Sequence, residues 1–314
     1  MELVRLKEVS KEFGKHRVLE DINLTIERGD ILGIIGQSGS GKTTLLNMLT
    51  GFLEPTEGQV LYSPSATEPA KDLNKHIHKI KKDIGFTPQH NSFYPKLTVE
   101  ENLNHFGKLY GVKKDTLKNN MNSLLQFTEL SEHKEKLAEQ LSGGMQKRLD
   151  ISCSLIHKPK LLVLDEPTAD LDPILQKEII KLLEEVNKQG VTVVIASHHL
   201  DQIEHLCTKV AIVHQAKIRS FGSMDHVREP FLKDQITINM HPGENKQKIL
   251  SQLRKFPIEK IVDKGDKLII YPGHTEKTVN GLMTFIQSEN MGYHDLDLRK
   301  PSLGEIFERI VKGE

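Results

Sequence analysis

An α/β fold with a parallel sheet at its centre, followed by a smaller α+β unit, is predicted by three observations along the 314-residue chain. Wholly apolar runs at Ile31 to Ile35, Leu161 to Leu164 and Val191 to Ala196 are separated by helical stretches, as buried parallel strands are. The break at Arg228-Glu229-Pro230 ends that pattern. Beyond Phe231 short elements follow in the order strand, helix, strand, strand, helix, strand, the split βαβ order of a ferredoxin-like sandwich. At roughly 150 residues per domain the length accommodates both units, and the expected domains are 1–228 and 231–314.

Leu3 to Val9 and Val18 to Ile26 alternate apolar with polar residues, as half-buried antiparallel strands do. Gly29-Asp30 then turns the chain into the buried run at Ile31, and a helix from Lys42 to Leu49 follows. The polar stretch Ser63 to Asp72 reads as a surface loop. From about 97 to 157 helical spacing runs with no strand signal, which predicts an all-helical insertion between the first and the later core strands. Within it Ser142 caps a helix whose Met145, Leu149, Cys153 and Ile156 keep helical spacing. Val210 to Val213 and Lys217 to Phe221 read as a closing hairpin. The second unit is expected to hold strands Ile236 to Met240, Ile258 to Val262, Lys267 to Tyr271 and Tyr293 to Leu298. Its helices are Glu244 to Phe256 and Glu276 to Asn290, and Asp263-Lys264-Gly265-Asp266 is its turn. A last helix, Ser302 to Val311, carries Ser302 and Glu305 at capping-box spacing.

Composition excludes several functions. Lys+Arg and Asp+Glu number 43 each, so no global field draws the chain onto nucleic acid or an anionic bilayer. No apolar run approaches the roughly 18 residues of a membrane span, and the first dozen residues lack the apolar core of a secretory signal. A cytoplasmic place is expected. Cys153 and Cys207 have no metal-type spacing and read as buried thiols.

The chemistry begins where the strand at Ile35 ends. Gly36-Gln37-Ser38-Gly39-Ser40-Gly41-Lys42-Thr43 matches G-x-x-x-x-G-K-[ST] in its strand-loop-helix context, with Thr44 next. Glycines let consecutive N–H groups curl round an anion at the start of a helix, whose dipole favours negative charge. Lys42 can reach β- and γ-phosphates, and Thr43 offers a hydroxyl to Mg2+. The run Leu161 to Leu164 delivers Asp165 and Glu166 at the carboxyl end of a strand, where ligands of open α/β sheets bind. There Asp165 suits the Mg2+ shell and Glu166 a water beyond the γ-phosphate. A second helix end prepared for an anion lies at Ser142-Gly143-Gly144.

Taken together, Gly36 to Thr43, Leu141 to Arg148 and Leu161 to Glu166 resemble the ATP-binding cassette (ABC) ATPases over about residues 1 to 222. The resemblance implies a P-loop NTPase core with an antiparallel β subdomain and the helical insertion. It further implies that Gln89, in G-F-T-P-Q, contacts Mg2+ and water, that Thr168 to Asp172 form a D-loop bringing Asp172 to the nucleotide, and that Phe13 stacks on adenine. His198, nearer the strand end than His199, matches the switch histidine that meets the γ-phosphate. The fifth signature residue is Met145 where glutamine is commonest, and Phe13 stands where tyrosine is common; neither change removes a charge or a phosphate donor.

In that family two cassettes pack head to tail, so that Ser142, Gly143 and Gly144 of one close over ATP held by the other. The partners implied are a second cassette, in a homodimer or pseudo-symmetric heterodimer, and an integral-membrane permease on whose cytoplasmic face the chain sits. Asn91 to Pro95 is the expected permease contact, through Phe93 and Tyr94. The signature L-S-G-G-M-Q-K-R-L and the ending P-S-L-G-E-I-F-E-R-I resemble multidrug- and antibiotic-type export subunits. Two other classes stay open. One is a soluble ABC ATPase acting on ribosomes or nucleic acid, for which the basic run Lys71 to Lys82 is the best support; with no net charge that run reads as a solvated helix face, and no nucleic acid is expected. The other is an ATP-dependent dimerisation switch with a sensory C-terminal unit. His199 and His205 are six apart, not on one helical face, so no metal site is expected in that histidine-rich segment.

Overall fold

The computed structural model describes residues 1–65, 67–231, 235–239, 246–265, 267–288, 295–299 and 301–312. It divides into Met1–Met224 with the chain end from Ile310, and Asp225–Arg309.

In the first unit, β1 (Glu2–Phe13) and β2 (His16–Glu27) form a long antiparallel hairpin, with Leu6 opposite Leu24 and Val4 opposite Ile26. Every residue of β3 (Ile31–Ile35) is buried, which matches its unbroken apolar run. After α1 (Lys42–Leu49), β4 (Glu57–Tyr62) and β5 (Lys71–Asp72) complete a sheet in the order β2-β1-β4-β5. The stretch from Ser63 to Asp72 is therefore not wholly loop: its last two residues pair with Tyr62 and Leu61. A polar pair such as Lys71-Asp72 carries no apolar signal, and the partner backbone alone makes it a strand. The basic run to Lys82 is not one helix face either, since β5, a turn and the single-turn α2 (Ile77–Ile80) share it.

β6 (Ile84–Thr87) follows, then the helices α3 (Val99–Leu109), α4 (Lys114–Phe127) and α5 (Gly143–Leu155). Thr98 and Glu101 form a capping box at α3, and the Ser142 hydroxyl accepts from Met145 N–H at α5. These helices close on a core of their own, with Leu103, Leu117, Leu125, Leu149 and Ile156 inside it. Then come β7 (Leu161–Asp165), α6 (Pro173–Lys188), β8 (Thr192–Ala196), α7 (Leu200–Leu206), β9 (Lys209–His214) and β10 (Lys217–Ser223). The central sheet runs β10-β9-β3-β8-β7-β6, parallel except for β10. β6 was unforeseen because Gly85 interrupts its short apolar signal. The same glycine lets α5 approach: a Cβ there would lie 2.3 Å from the Ser154 carbonyl oxygen.

α8 (Met224–Arg228) leads into the second unit, which continues as β11 (Gln235–Asn239), α9 (Lys246–Leu253), β12 (Ile258–Asp263), β13 (Lys267–Pro272), α10 (Thr275–Ser288), β14 (Asp295–Arg299) and α11 (Leu303–Lys312), the last three residues of α11 falling with the first unit. Its sheet is antiparallel in the order β12-β13-β11-β14, the ferredoxin-like arrangement. Ile236, Ile238, Leu268 and Ile270 of the sheet meet Ile249, Leu253 and Leu282 of α9 and α10. Ser302 and Glu305 exchange both hydrogen bonds of a capping box at α11. Met240, Glu244, Asp266, Asn290 and Tyr293, expected at the ends of elements, lie outside the described residues. Among the described residues no helix is long and apolar enough to cross a membrane.

Candidate functional site

β3, β7 and β8 end side by side, and the segments that leave their carboxyl ends build one cleft of about 530 Å³. The loop from Gly36 leads into α1. A Cβ at Gly36 would fall 2.3 Å from Ser40 Oγ and 2.5 Å from the Val213 carbonyl oxygen, so only glycine fits this turn. Gly41, at φ 101°, adopts a left-handed backbone that other residues avoid. Lys42 is 9% exposed and folds back over the loop, its Nζ donating to the carbonyls of Gly36 at 2.9 Å and Gln37 at 3.1 Å. Burial lowers its pKa, and the carboxylates of Glu166 and Asp165 act the other way.

Asp165 closes β7 at the far wall of the cleft. Thr43 Oγ1 donates to its Oδ2 at 2.8 Å, which ties the first turn of α1 to the end of β7. Burial raises the Asp165 pKa above the usual carboxylate range, and the Thr43 bond offsets only part of this. Glu166, the next residue, turns away. Its backbone sits at φ 48°, a left-handed conformation that costs a non-glycine residue about 1–2 kcal/mol, and its N–H donates to the Ala196 carbonyl at 2.8 Å. The twist aims the two adjacent carboxylates in different directions. Glu166 Oε2 lies 2.9 Å from His198 Nδ1 and accepts from the His198 N–H at 3.3 Å, across the ends of β7 and β8. Such strained backbone at the head of a cleft is characteristic of functional positions.

Gln89, two residues past β6, lines the same cleft, as do Ser38, Gly39 and Thr44. His199 does not: its N–H donates to Ser197 Oγ, and its ring lines a separate cleft between α6 and α7 that His205 also lines. Among the described residues no group of three or more His, Cys, Asp or Glu could hold a metal. Phe13 stands outside the cleft lining, 51% exposed at the end of β1 with Lys11 Nζ 5.2 Å from its ring centre. Val18, across the hairpin, lines the cleft instead, and nothing in its sequence context marks it. Ser142 and Gly143 are exposed and Gly144 buried, at the head of α5 and apart from the lining. Asp172 caps α6, accepting from the N–H groups of Ile174 at 2.9 Å and Leu175 at 3.0 Å.

The residues present fit a nucleotide with a magnesium ion. Ser40 Oγ is buried without a hydrogen-bond partner, as a phosphate-binding hydroxyl is before its ligand arrives. A Cβ at Gly39 would meet nothing within 4 Å, so the rim of the loop is open. Hydroxyl, carboxylate and amide oxygens from Thr43, Asp165 and Gln89 are the hard donors that Mg2+ takes.

Comparison with known proteins agrees. The ABC transporter family profile matches residues 19–169. The bacitracin transport ATP-binding protein BcrA of Bacillus licheniformis is 30% identical over 99% of this chain and 98% of its own length. The linearmycin resistance ATP-binding protein LnrL of Bacillus subtilis is 28% identical over 98% of both chains. Among solved structures, the dimeric post-hydrolysis state of the cassette MJ0796 bound to ADP and Pi is 29% identical, with a TM-score of 0.60 over 71% of this chain and 99% of that one. With a cleft of this donor set on a sheet of this order, and relatives matched end to end, the chain belongs to the ABC transporter family as one of its ATP-hydrolysing subunits.

Proposed function

We propose that the chain drives an exporter by closing on a second cassette around ATP and opening after hydrolysis, with a separate membrane permease as its load. The observation that carries this is the convergence in one cleft of Thr43 on Asp165 and of His198 on Glu166. Loop N–H groups from Gly36 to Thr44 and the Lys42 ammonium hold the phosphates. Thr43, Asp165 and Gln89 would hold Mg2+, which would neutralise negative charge on the transferred phosphoryl group. Glu166 takes the proton of the attacking water, and His198 orients that carboxylate and donates to the γ-phosphate. Phe13, exposed at the end of β1, stacks on adenine. Ser142, Gly143 and Gly144 of one cassette reach the γ-phosphate held by the other, with Asp172 beside them. The exposure of Ser142, Gly143 and Asp172 in a single chain and the dimeric state of MJ0796 support that pairing.

Permease contact is assigned to a groove of about 290 Å³ where Phe52 and Leu109, 72% and 65% exposed, flank Phe106 and Tyr110. Of the contacts expected from the sequence, Phe93 packs into the helical core, while Tyr94 stays at the surface edge-on to His105. The chain then works at the cytoplasmic face through that permease. Export as the direction is supported by relatives named for bacitracin transport and linearmycin resistance.

Glu166→Gln tests this reading. The variant should bind ATP and elute as a dimer in gel filtration, with turnover reduced about 100- to 10,000-fold, the usual contribution of a general base. Turnover at the parental rate would remove Glu166 from the mechanism. Pull-down of the same variant from its own cells in mild detergent, read by mass spectrometry, should bring a polytopic membrane protein; ribosomal proteins in its place would favour the soluble-factor class.

A further inference from the structure

Gln89 has to reach into the cleft from a loop, and the loop is gripped from one side by a polar stripe on α5. Gln146, Asp150 and Ser154 are spaced by four, so they share one helical face. Each touches the segment from Phe86 to Ser92. Ser154 Oγ donates to the Phe86 carbonyl at 2.8 Å and therefore accepts from Thr87 Oγ1 at 2.9 Å, just before the loop. Asp150 Oδ1 accepts from both the N–H of Ser92, at 2.9 Å, and its hydroxyl, at 2.6 Å, just after it. Asn91 reaches Gln146 at 3.4 Å. Only Pro88, Gln89 and His90 lie between these attachments.

Asp150 has no exposure, and its Oδ2 makes no hydrogen bond; Lys147 Nζ, itself buried, lies 3.7 Å away. A buried ion pair is a weak source of net stability compared with apolar residues of the same volume. Its presence between a helix and a loop asks for another reason, and the doubly held Ser92 supplies one. We propose that Asp150, with Ser154 one turn on, is a positioning residue that sets the reach of Gln89 into the nucleotide cleft without touching nucleotide itself. The inference rests on the reading of Gln89 as the ligand of metal and water.

The test compares Asp150→Ala, Ser92→Ala, Ser154→Ala and Gln89→Ala with the parent, by ATPase kinetics across Mg2+ concentrations and by amide hydrogen exchange of residues 86–92 without nucleotide. Asp150→Ala should lower kcat about 10- to 100-fold with little change in KM for ATP, as small misplacements of catalytic groups do. Its Mg2+ midpoint should rise, and the loop should exchange about tenfold faster while β3 and β7 keep their protection. Asp150→Asn, whose amide oxygen still accepts from Ser92, should recover most of the rate. A helix that merely folds less well would lower the active fraction and leave the Mg2+ midpoint alone. Should Asp150→Ala not fold, Ser92→Ala and Ser154→Ala must show the same midpoint shift in smaller measure. A parental midpoint and exchange rate in the clamp variants, with Gln89→Ala impaired, overturns the positioning role and leaves the Gln89 assignment standing. If Gln89→Ala itself behaves as the parent, the assignment falls and takes the inference with it.

Discussion

Burial works against the charged form of the Asp165 carboxyl. The carboxyl is 3% exposed, and burial keeps its pKa above the usual range. A raised carboxyl pKa contributes stability at pH below the unfolded value, and that contribution is lost as pH rises through the folded value. The penalty comes into force as pH rises through that folded value. Asp165→Asn should therefore raise Tm in EDTA at pH 7, by about 2–4 °C for each kcal/mol removed, and should abolish the Tm increase that Mg2+ with a nucleotide gives the parent. Differential scanning calorimetry with and without Mg2+ checks both; a lower Tm in EDTA would mean that the Thr43 bond, not the buried charge, dominates at this residue. Lys42, Thr43, Asp165 and Glu166 were legible at this scale because a glycine-rich turn and a strand end are local patterns. The partnership of Glu166 with His198 was not, since 32 residues separate two groups that meet only when β7 and β8 pair.

Among elements, the most informative junction is the end of α5 on β6. His157, just beyond the helix, donates from Nε2 to the Ile84 carbonyl at 3.1 Å and stacks on Tyr110 with ring centres 3.6 Å apart. Its Nδ1 is buried without a partner. Burial pushes its pKa down from 6.5 to about 4. A lowered histidine pKa means the unfolded chain binds more protons between those values, so stability falls as pH drops through that window. His157→Phe keeps the ring stack and removes the titration. The loss of unfolding free energy between pH 6.5 and 4 should shrink by about 2–3 kcal/mol in the variant, measured by urea unfolding at both pH values; an unchanged acid limb would place the titration elsewhere. Helices and buried strands were readable from periodicity. β4, β5 and β6 were not, because their residues alternate weakly or are interrupted by glycine, and neighbouring strands and α5 decide their conformation.

For the whole molecule, head-to-tail pairing has a signature that no single chain can show. Each composite site would take its phosphate loop from one cassette and its Ser142 end from the other. Lys42→Ala and Ser142→Arg should each be inactive alone. Mixed in equal amounts, half of the dimers are hybrids, each with one intact composite site, and activity should return to about a quarter of the parental rate in a two-fold dimer. A mixture as inactive as its components would exclude the composite site. The ferredoxin-like unit adds a separate core of its own strands with α9 and α10, and its sheet order does not specify a function.

Sequence alone determined the chemistry that is local. A glycine-rich loop between strand and helix, two carboxylates at a strand end and a serine-capped helix are written in runs of a few residues, because backbone conformation and helix polarity act over that range. Tertiary structure alone decided which of these meet. Sheet order brought Asp165 to Thr43 and Glu166 to His198, hairpin register put Val18 in the cleft lining, and packing of α5 on β6 set Asp150 against the Gln89 loop. Contacts between residues far apart in the chain are selected by burial and by the pairing of whole elements, and no short stretch of sequence encodes them.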